Sequence, residues 1–538
     1  MKSLDPILQP QARDRLREGI RQMIEPVRLT LGPLPKGVVC TQEFPGQSPE
    51  FLDRGSVVAR RIIQLQDRDA DMGAMLVRDM LWRVHKLAGD SSATAAVVFD
   101  AIFETAFRHL VSGGDPMRLR ESIHEGVGVI LDELDSLTSR IDGESQFIRA
   151  AEALGQDSDL APPLGAIFYL LGADAQIDVR GGHGRGTTWE YLDGAYWTGG
   201  ALASELIMGR RVELADPAIL LSDLSLTDPF EIAKAIEAAL LAGKRSLLVF
   251  AERIAPEVTG FLVANRDRAG FVTLAVKAPD QYRDRMGMLN DLAVLTGGRI
   301  FISAAGDTLR GIRPEHLGGA KQAWADREFV GFAHGQGNAP ARRARIHALR
   351  AQIAVEDDPE RRARLRAHLG KLMGGSAILW VGGSSQREIE QRKLTAAQVS
   401  ETLRGVCQQG VLAGGGTALL RCEGALRRWA DRCDDTDRRA AFRCLLAALE
   451  APARTILANA GLPEGEILNA IRRSKPGMGY DALRQQMVDM VQMGIVDSAA
   501  AYKTAFRVAA QAAATALTID VLIHRRSPPT VVEPGSSS

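Results

Sequence analysis

A change of pattern along the chain constrains the fold more than any other feature of the sequence. The middle of the chain holds short aliphatic segments separated by stretches of helix length, at residues 218–221, 246–250, 271–276 and 299–302. Such alternation is typical of buried parallel strands covered by helices. The residues before about 135 and after 395 place apolar side chains at helical spacing instead. The sequence therefore predicts an α+β multidomain protein in which an α/β domain is inserted into a mostly helical one.

Two helices are predicted between these strands, at residues 229–242 and 256–268. They carry the apolar side chains Ile232, Ile236, Val258, Phe261 and Val263. Most such side chains belong to a core, but part of this surface can instead be an exposed groove that binds apolar segments of a partner. The sequence leaves both interpretations open.

The stretch that begins at Gly89 has the form of a phosphate-binding loop between two helices. Gly89 can adopt the positive φ that ends a helix, and Asp90 is predicted to be the N-cap of the next one. Free amides at a helix N-terminus, with the hydroxyls of Ser91, Ser92 and Thr94, suit a polyphosphate. Asp90 repels phosphate unless a divalent cation lies between them. The stretch is therefore either a site for a nucleotide with Mg²⁺ or a capped helix start without a ligand.

The charge pattern argues against nucleic acid as a general partner. The chain has 66 basic and 66 acidic residues, so its formal net charge is zero. A helical hairpin is predicted at residues 346–373, and its four arginines between 361 and 366 lie beside four acidic residues between 356 and 360. That arrangement favours a solvated face over a nucleic-acid patch.

Cysteine content and hydropathy favour a cytoplasmic protein. The five cysteines are scattered and show no Cys-x-x-Cys spacing, so neither a disulfide framework nor a zinc site is indicated. The first residues lack the apolar core of a signal peptide, and no apolar run approaches the ~18 residues that span a bilayer. We expect a reducing compartment and no membrane partner.

Seven short motifs follow one another along the chain. They are Thr-Leu-Gly-Pro at 30–33, Leu-Asp-Arg-Gly at 52–55, Gly-Asp-Ser-Ser-Ala-Thr at 89–94, Val-Lys-Ala-Pro at 276–279, Leu-Thr-Gly-Gly at 295–298, Gly-Val-Leu-Ala-Gly-Gly-Gly at 410–416 and Met-Gly-Ile-Val-Asp at 493–497. Each motif alone is weak, but their order and spacing are specific. From about residue 10 to residue 525 the chain resembles a group I chaperonin of the GroEL type.

The resemblance implies the chaperonin fold, with a mostly helical equatorial domain, a small intermediate domain and an inserted α/β apical domain. The implied segments are equatorial 1–136, intermediate 137–188, apical 189–375, intermediate 376–410 and equatorial 411–526, followed by a disordered tail at 527–538. It also implies homo-oligomeric rings of seven subunits, singly or stacked as fourteen, that enclose non-native or assembling client proteins. A co-chaperonin lid is a further possible partner.

The same resemblance implies ATP and Mg²⁺ as cofactors and assigns the residues that hold them. Motif positions implied for the phosphates are Thr30, Leu31, Gly32, Pro33, Asp90, Ser91, Ser92, Ala93 and Thr94. Asp90 is also the implied ligand of Mg²⁺, which agrees with its interpretation as a metal-bearing carboxylate. Gly415 is placed at the sugar, and Asp481, Ala482 and Asp497 are placed at the base and ribose.

Two departures from the family pattern concern activity. Gln398 stands where the family has its catalytic aspartate, and a glutamine can bind a water molecule but cannot accept its proton. General bases contribute ~10²–10⁴-fold, so we expect slow hydrolysis unless Asp53, which matches a second acid of the family, serves instead. The positions that carry the family's large apolar contacts are also less hydrophobic here; they are Tyr196, Gly200, Ala233, Ile236, Thr259, Val263 and Ala264. The candidate client-binding residues are Tyr196, Ile232, Ile236, Val258, Phe261 and Val263.

These features predict a divergent, ATP-binding chaperonin for a restricted set of clients, with slow ATP hydrolysis. A ring-shaped scaffold that has lost the ATP-driven folding cycle is the alternative. An unrelated kinase or transferase would require a Walker-type loop, and the sequence shows none.

Overall fold

The computed structural model describes residues 6–41, 49–52, 54–155, 157–182, 184–192, 195–198, 200–206, 211–277, 282–327, 329–356, 358–373, 376–431 and 435–524. The chain divides into two compact units, Met1–Gly165 with Thr395–Ser538, and Ala166–Leu394. Both ends of the chain therefore belong to one unit. The finer division with boundaries at residues 136, 188, 375, 410 and 526 stays a prediction. Asp53 and the tail at 527–538 lie outside the described residues.

The first part of the chain is helical apart from a short hairpin. Its helices are α1 (Gln11–Arg28), α2 (Gly55–Arg61), α3 (Arg68–Ala88), α4 (Ser92–Val111), α5 (Pro116–Ser136), α6 (Glu144–Gly155) and α7 (Ala161–Leu171). Strands β1 (Val38–Cys40) and β2 (Glu50–Leu52) pair antiparallel, with Val39 opposite Phe51. Local chemistry sets the helix ends: the Asp115 carboxylate accepts the N–H of Met117 at 2.8 Å, and Pro116 is the first residue of α5.

The middle of the chain alternates strands and helices. Its strands are β3 (Gln176–Gly181), β4 (Thr188–Leu192), β5 (Ala195–Thr198), β6 (Val212–Ala215), β7 (Ala218–Ser222), β8 (Ser225–Leu226), β9 (Ser246–Ala251), β10 (Arg253–Ile254), β11 (Val272–Lys277), β12 (Ile300–Phe301), β13 (Gly318–Ala325), β14 (Phe329–Gly335) and β15 (Ser376–Val381). Its helices are α8 (Pro229–Leu241), α9 (Pro256–Ala269), α10 (Tyr282–Thr296), α11 (Ala339–Val355) and α12 (Pro359–Met373).

The predicted parallel strands are confirmed. Strands β11, β9 and β7 are parallel neighbours in that order, and β12 pairs parallel with β7. The sheet continues through β13, β14 and β5, which are antiparallel to their neighbours and were not predicted. Strands β3, β15 and β4 form a separate three-stranded sheet. The helical hairpin is also confirmed, since Leu349, Leu369 and Leu372 form its buried contact.

The last part of the chain is again mostly helical. Its helices are α13 (Gln386–Gln409), α14 (Thr417–Arg421), α15 (Glu423–Ala430), α16 (Thr436–Asn459), α17 (Glu464–Arg473) and α18 (Ala499–Ala516). Its strands are β16 (Val411–Ala413), β17 (Met478–Asp481), β18 (Gln486–Asp489) and β19 (Val496–Ser498). Throughout the described part of the chain, no helix combines the length and the apolar character needed to cross a bilayer.

The core of the unit that contains both chain ends is built around α4. This helix packs against α1, α16 and α18, and its Phe99, Ile102 and Phe103 are fully buried. Helices α1 and α3 cross closely because each has a glycine at the contact: a Cβ atom added at Gly19 would lie 1.6 Å from the carbonyl oxygen of Ala70. The close crossing fixes α3 relative to α1, and α3 leads directly into the loop before α4.

Candidate functional site

The loop between α3 and α4 has an unusual backbone. Gly89 ends α3 with a φ of 74°, which confirms the predicted helix stop. The predicted N-cap is wrong, because α4 begins at Ser92 and its N-cap is Ser91, which is left-handed with a φ of 68° and makes no side-chain capping bond. A left-handed residue other than glycine is strained, and such strain is concentrated at functional sites. The Asp90 carboxylate is therefore not occupied in capping the helix.

Three segments distant in sequence converge beside this loop. A Cβ atom added at Gly55, the first residue of α2, would lie 3.3 Å from Thr30 Oγ1 and 3.4 Å from Ala93 Cβ. Thr30 is buried and donates its hydroxyl to the carbonyl oxygen of Val27 at 2.8 Å, which fixes the chain as α1 ends. The structure thus brings the predicted phosphate segments 30–33 and 90–94 together, with the start of α2 between them.

Helix α13 lies against the same loop. A Cβ atom at Gly89 would lie 3.3 Å from the carbonyl oxygen of Gln398 and 3.2 Å from Thr402 Oγ1, so a glycine is needed for this approach. The Arg54 guanidinium donates to Gln398 Oε1 at 2.7 Å and to Thr395 Oγ1 at 2.8 Å. Gln398 therefore lies beside the loop between α3 and α4, which is the predicted phosphate loop, and its amide oxygen accepts a hydrogen bond from Arg54.

One carboxyl group of the site is influenced by another. Burial, together with a smaller contribution from the nearby charge of Asp90, raises the pKa of Asp497 to about 7. Burial also raises the pKa of Asp90, while a hydrogen bond from the N–H of Ser91 and the charge of Arg54 act in the opposite direction. Asp497 was predicted at the base and ribose, and this coupling places its carboxyl within electrostatic reach of the phosphate loop.

These carboxyl groups do not form a complete metal cage. Within the described ranges, no group of three or more His, Cys, Asp or Glu side chains is arranged to hold a metal ion. Mg²⁺ usually binds through one or two carboxylates and completes its octahedron with water and substrate phosphates. Asp90 and Asp497 fit that mode of binding. They do not fit a site that holds a metal ion through protein side chains alone.

The glycine-rich segment 414–416 forms the other side of the site. Gly415 and Gly416 have φ values of 63° and 74°, and a Cβ atom at Gly416 would lie 2.5 Å from the Ala453 nitrogen. Strands β16 and β19 pair so that Leu412 lies opposite Asp497. The predicted sugar residue and Asp497 are thus held by two adjacent strands and the turn that follows.

Asp481 has a structural role in the described chain. Its carboxylate accepts the N–H groups of Leu483 at 2.9 Å and Arg484 at 3.1 Å, which closes the turn between β17 and β18. The neighbouring Ala482 is buried. The backbone oxygen of Tyr480 lies 3.9 Å from a Cβ atom added at Gly415, so this turn borders the glycine-rich segment. Contact of Asp481 and Ala482 with a base or ribose stays a prediction.

Sequence reasoning gave no role to several residues of this site. Arg54 is part of the motif at 52–55. Its position next to Asp53, a predicted catalytic acid, could have indicated that it belongs to the site. Thr395 carried no local signal, because its contact with Arg54 spans 341 residues. Tyr502 and Thr417 each bury a hydroxyl that has no hydrogen-bond partner among the described residues. Such unsatisfied groups are costly and are typical of ligand sites and water positions.

Most of the predicted client-binding set lies in the core of the other unit. Tyr196, Ile232, Ile236 and Val258 are buried there, and Phe261 and Val263 are partly accessible. Only these last two can contact a client in the conformation described, and that role stays a prediction for the whole set. Helix α8 also exposes Phe230 at its start and Leu241 at its end, with 61% and 79% of their surface accessible.

Comparison with known proteins agrees with this architecture. Residues 228–527 match the model of the TCP-1/cpn60 chaperonin family, so the chain belongs to that family. Its structure is similar to the crystal structure of the chaperonin gp146 from the bacteriophage EL 2 (Pseudomonas aeruginosa), with a TM-score of 0.68 and 16% sequence identity. The similarity covers 98% of this chain and 100% of the phage chain. The predicted α+β chaperonin fold is therefore confirmed.

Proposed function

We propose that the protein is an ATP-binding chaperonin that assists the folding or assembly of a restricted set of client proteins and hydrolyses ATP slowly. The observation that carries the proposal is the convergence of segments 30–33 and 90–94 at the start of α4, beside Asp90 and Asp497. Free amides and hydroxyls at a helix N-terminus bind phosphate. The related phage chaperonin was crystallised in the presence of ATP-BeFx, which supports a nucleotide as the ligand.

Asp90 and Asp497 are the residues that would hold Mg²⁺. Both carboxyl groups have raised pKa values, because burial disfavours their charged forms and, at Asp90, outweighs the opposing effects of the Ser91 N–H and the Arg54 charge. A divalent cation relieves this cost by compensating the negative charges. When bound, Mg²⁺ supplies charge neutralisation between the β- and γ-phosphates.

Slow hydrolysis follows from the chemistry of Gln398. Its amide can orient a water molecule but cannot accept a proton, and its oxygen is already hydrogen-bonded to Arg54 at 2.7 Å. A positioned general base contributes ~10²–10⁴-fold, and the loss of one is expected to lower turnover by that order. Asp53, the predicted second acid, lies outside the described residues and stays a candidate for this role.

A restricted client range is supported by the limited apolar surface that α8 and α9 expose. Affinity for unfolded chains scales with buried apolar area at ~25 cal/mol per Å², and most of the predicted contact residues are already buried in the core. The large apolar residues of these two helices that a client would contact are Phe230, Leu240, Leu241, Phe261 and Val263. Ring formation, a lid partner and a cytoplasmic location are further parts of the proposal.

Steady-state ATP turnover with and without a chemically unfolded protein tests this function. We expect slow turnover that the unfolded protein stimulates, together with nucleotide-dependent suppression of its aggregation, followed by light scattering. A chain that binds no ATP would overturn the proposal.

A ring-shaped scaffold without a folding cycle is the second candidate, and the Gln398–Arg54 hydrogen bond favours it, because it engages the amide oxygen that would otherwise orient a water molecule. In that case ATP binds without measurable turnover, and unfolded protein changes neither the turnover nor the scattering. The two functions are thus separated by the same assay.

A further inference from the structure

Arg54 is fixed in place at the backbone and at the tip of its side chain. It is the N-cap of α2, and its carbonyl oxygen accepts the N–H groups of Val57 and Val58, each at 3.0 Å. Its guanidinium donates from separate nitrogens to Gln398 and Thr395, and Thr395 is buried. A long, flexible side chain held at both ends has lost most of its conformational freedom before any ligand binds.

The charge of this guanidinium is not neutralised by its partners. Gln398 Oε1 and Thr395 Oγ1 are neutral acceptors, and in the part of the chain that the structure describes no carboxylate lies within ion-pair distance of Arg54. The side chain is only half exposed, so water solvates it incompletely. A partly buried cation without a counter-charge favours binding of an anion.

The surroundings of Arg54 identify the class of anion. Its neighbour Gly55 contacts Thr30 and Ala93, which belong to the two predicted phosphate segments. Its charge is felt at Asp90, where it acts against the rise in pKa that burial causes. The guanidinium therefore lies beside the loop between α3 and α4, within electrostatic reach of the carboxyl group that is assigned to Mg²⁺.

We propose that Arg54 binds the terminal phosphate of a nucleoside triphosphate, so that the site distinguishes ATP from ADP, with Gln398 and Thr395 positioning the guanidinium. This inference rests on the proposed nucleotide site. It also gives Gln398 a function: an aspartate at this position would form an ion pair with Arg54 and cancel its charge, whereas a glutamine orients Arg54 and leaves the charge available. In this chain Gln398 thus orients Arg54 without neutralising its charge.

Equilibrium binding of Mg-ATP and Mg-ADP to the full-length protein tests the inference, with fluorescent nucleotide analogues as probes. In Arg54→Gln the charge is lost while the side chain keeps hydrogen-bond donors. We expect its ATP affinity to fall by about 10- to 100-fold, since a charge-assisted phosphate contact is lost, and its ADP affinity to change by less than about 3-fold. Arg54→Lys keeps the positive charge but lacks the planar guanidinium group. We expect its ATP affinity to lie between those of Arg54→Gln and the wild type.

The matched control is Arg61→Gln, which makes the same substitution at the other end of α2. Arg61 forms an ion pair with Glu50 at 2.7 Å. We expect wild-type affinity for both nucleotides. Thermal unfolding without nucleotide shows whether each variant is folded.

Three outcomes overturn the inference. If Arg54→Gln weakens ATP and ADP equally, Arg54 has only a structural role, and if it weakens neither, Arg54 does not contact the nucleotide. Both results leave the proposed nucleotide site intact. A wild-type protein that binds neither nucleotide overturns the proposed function itself and this inference with it.

Discussion

The chemistry available to the predicted phosphate loop depends on one guanidinium group and two carboxyl groups that lie near one another without forming an ion pair. Arg54 is held by two neutral groups, and the charge of Asp90 raises the pKa of Asp497. The guanidinium and the two carboxyl groups thus lie near one another without a direct ion pair. If a triphosphate with Mg²⁺ binds here as we propose, the cation would compensate the carboxylates and the phosphate would compensate the guanidinium.

Gln398→Asp restores a carboxylate beside the phosphate loop and is expected to accelerate ATP turnover. The gain should be about 10-fold, below the ~10²–10⁴-fold typical of a general base, because Arg54 would pair with the new carboxylate and lower its basicity. Steady-state phosphate release measures the effect. Gln398→Asn is the neutral control and should stay slow; an equal acceleration in both variants would show that charge at this position does not limit hydrolysis.

Asp497 is expected to make the stability of the metal-free protein depend on pH. Its pKa is raised from 3.8 to about 7, so the folded protein loses stability as the pH rises through this range and the buried carboxyl must ionise. Asp497→Asn removes this cost. In EDTA its melting temperature should exceed that of the wild type by about 1–2 °C at pH 8, the shift that ~1 kcal/mol produces in a chain of this size, and should match it near pH 4.

The control for this measurement is Asp132→Asn, which replaces an exposed aspartate of α5. We expect no pH-dependent difference from the wild type. A melting temperature of Asp497→Asn that stays below the wild type at both pH values would contradict the assignment of Asp497 as an unsatisfied buried carboxyl group.

Local sequence patterns predicted those site residues whose conformation depends on their neighbours in sequence. They missed the residues that are brought together by contacts distant in sequence. Gly89 was identified because a positive φ at a helix end is a local property. Asp90 was misassigned as the N-cap because Ser91 occupies that position in a left-handed conformation, which a residue other than glycine rarely adopts. The contact between Arg54 and Gln398 spans 344 residues, and no local pattern encodes it.

At the scale of elements, the site depends on how tightly α13 approaches the end of α3. Gly89 makes this approach possible, since a side chain there would press on the Gln398 carbonyl and on Thr402. The same glycine sets the left-handed turn that directs the chain toward α4. The geometry of the loop and the position of Gln398 are therefore coupled through one backbone position.

Gly89→Ala is expected to destabilise the protein by about 1–2 kcal/mol, because an L residue is disfavoured at this φ and the new methyl group lies at 3.2–3.4 Å from α13 atoms. Urea unfolding measures the change. Gly128→Ala is the control, since this glycine is exposed in α5 with no atom near the added Cβ, and it should be stabilised by about 0.5–1 kcal/mol. Equal effects of the two substitutions would contradict the tight approach of α13.

Buried parallel strands were easier to predict than the antiparallel strands beside them. Strands β7, β9 and β11 are continuous aliphatic runs, which signal full burial. Strands β13 and β14 contain glycines, which weaken the strand signal. Gly331 is required because its face is covered by the Trp324 ring, 2.6 Å from an added Cβ atom. That contact depends on cross-strand pairing, which a single strand does not reveal.

At the scale of the whole molecule, both chain ends form one helical unit and the middle forms a mixed unit. The sequence layout predicted this insertion, and the family assignment is consistent with it. Assembly is a property that a single chain does not display. Hairpin β1–β2 nevertheless exposes apolar side chains, with 57% of Val39 and 72% of Phe51 accessible. Exposed apolar patches on a hairpin edge are typical of surfaces that pair with another chain.

Phe51→Glu is therefore expected to disrupt ring assembly. Negative-stain electron microscopy and size-exclusion chromatography of the wild type should show sevenfold rings, and the variant should show smaller species, because a charge replaces a buried contact between copies. Phe230→Glu is the control, since its ring is 61% exposed in the other unit, and it should leave the rings intact. Monomers of the wild type with and without ATP would contradict a ring-forming chaperonin.

Equilibrium binding of ATP to the wild type and to Asp90→Asn, with and without Mg²⁺, tests the central claim most directly. We expect the wild type to bind ATP and Mg²⁺ to strengthen this binding, because Asp90 would hold the cation against the phosphates. In Asp90→Asn the dependence on Mg²⁺ should be lost. Absence of ATP binding by the wild type, or binding with the same dependence on Mg²⁺ in both proteins, would contradict the account.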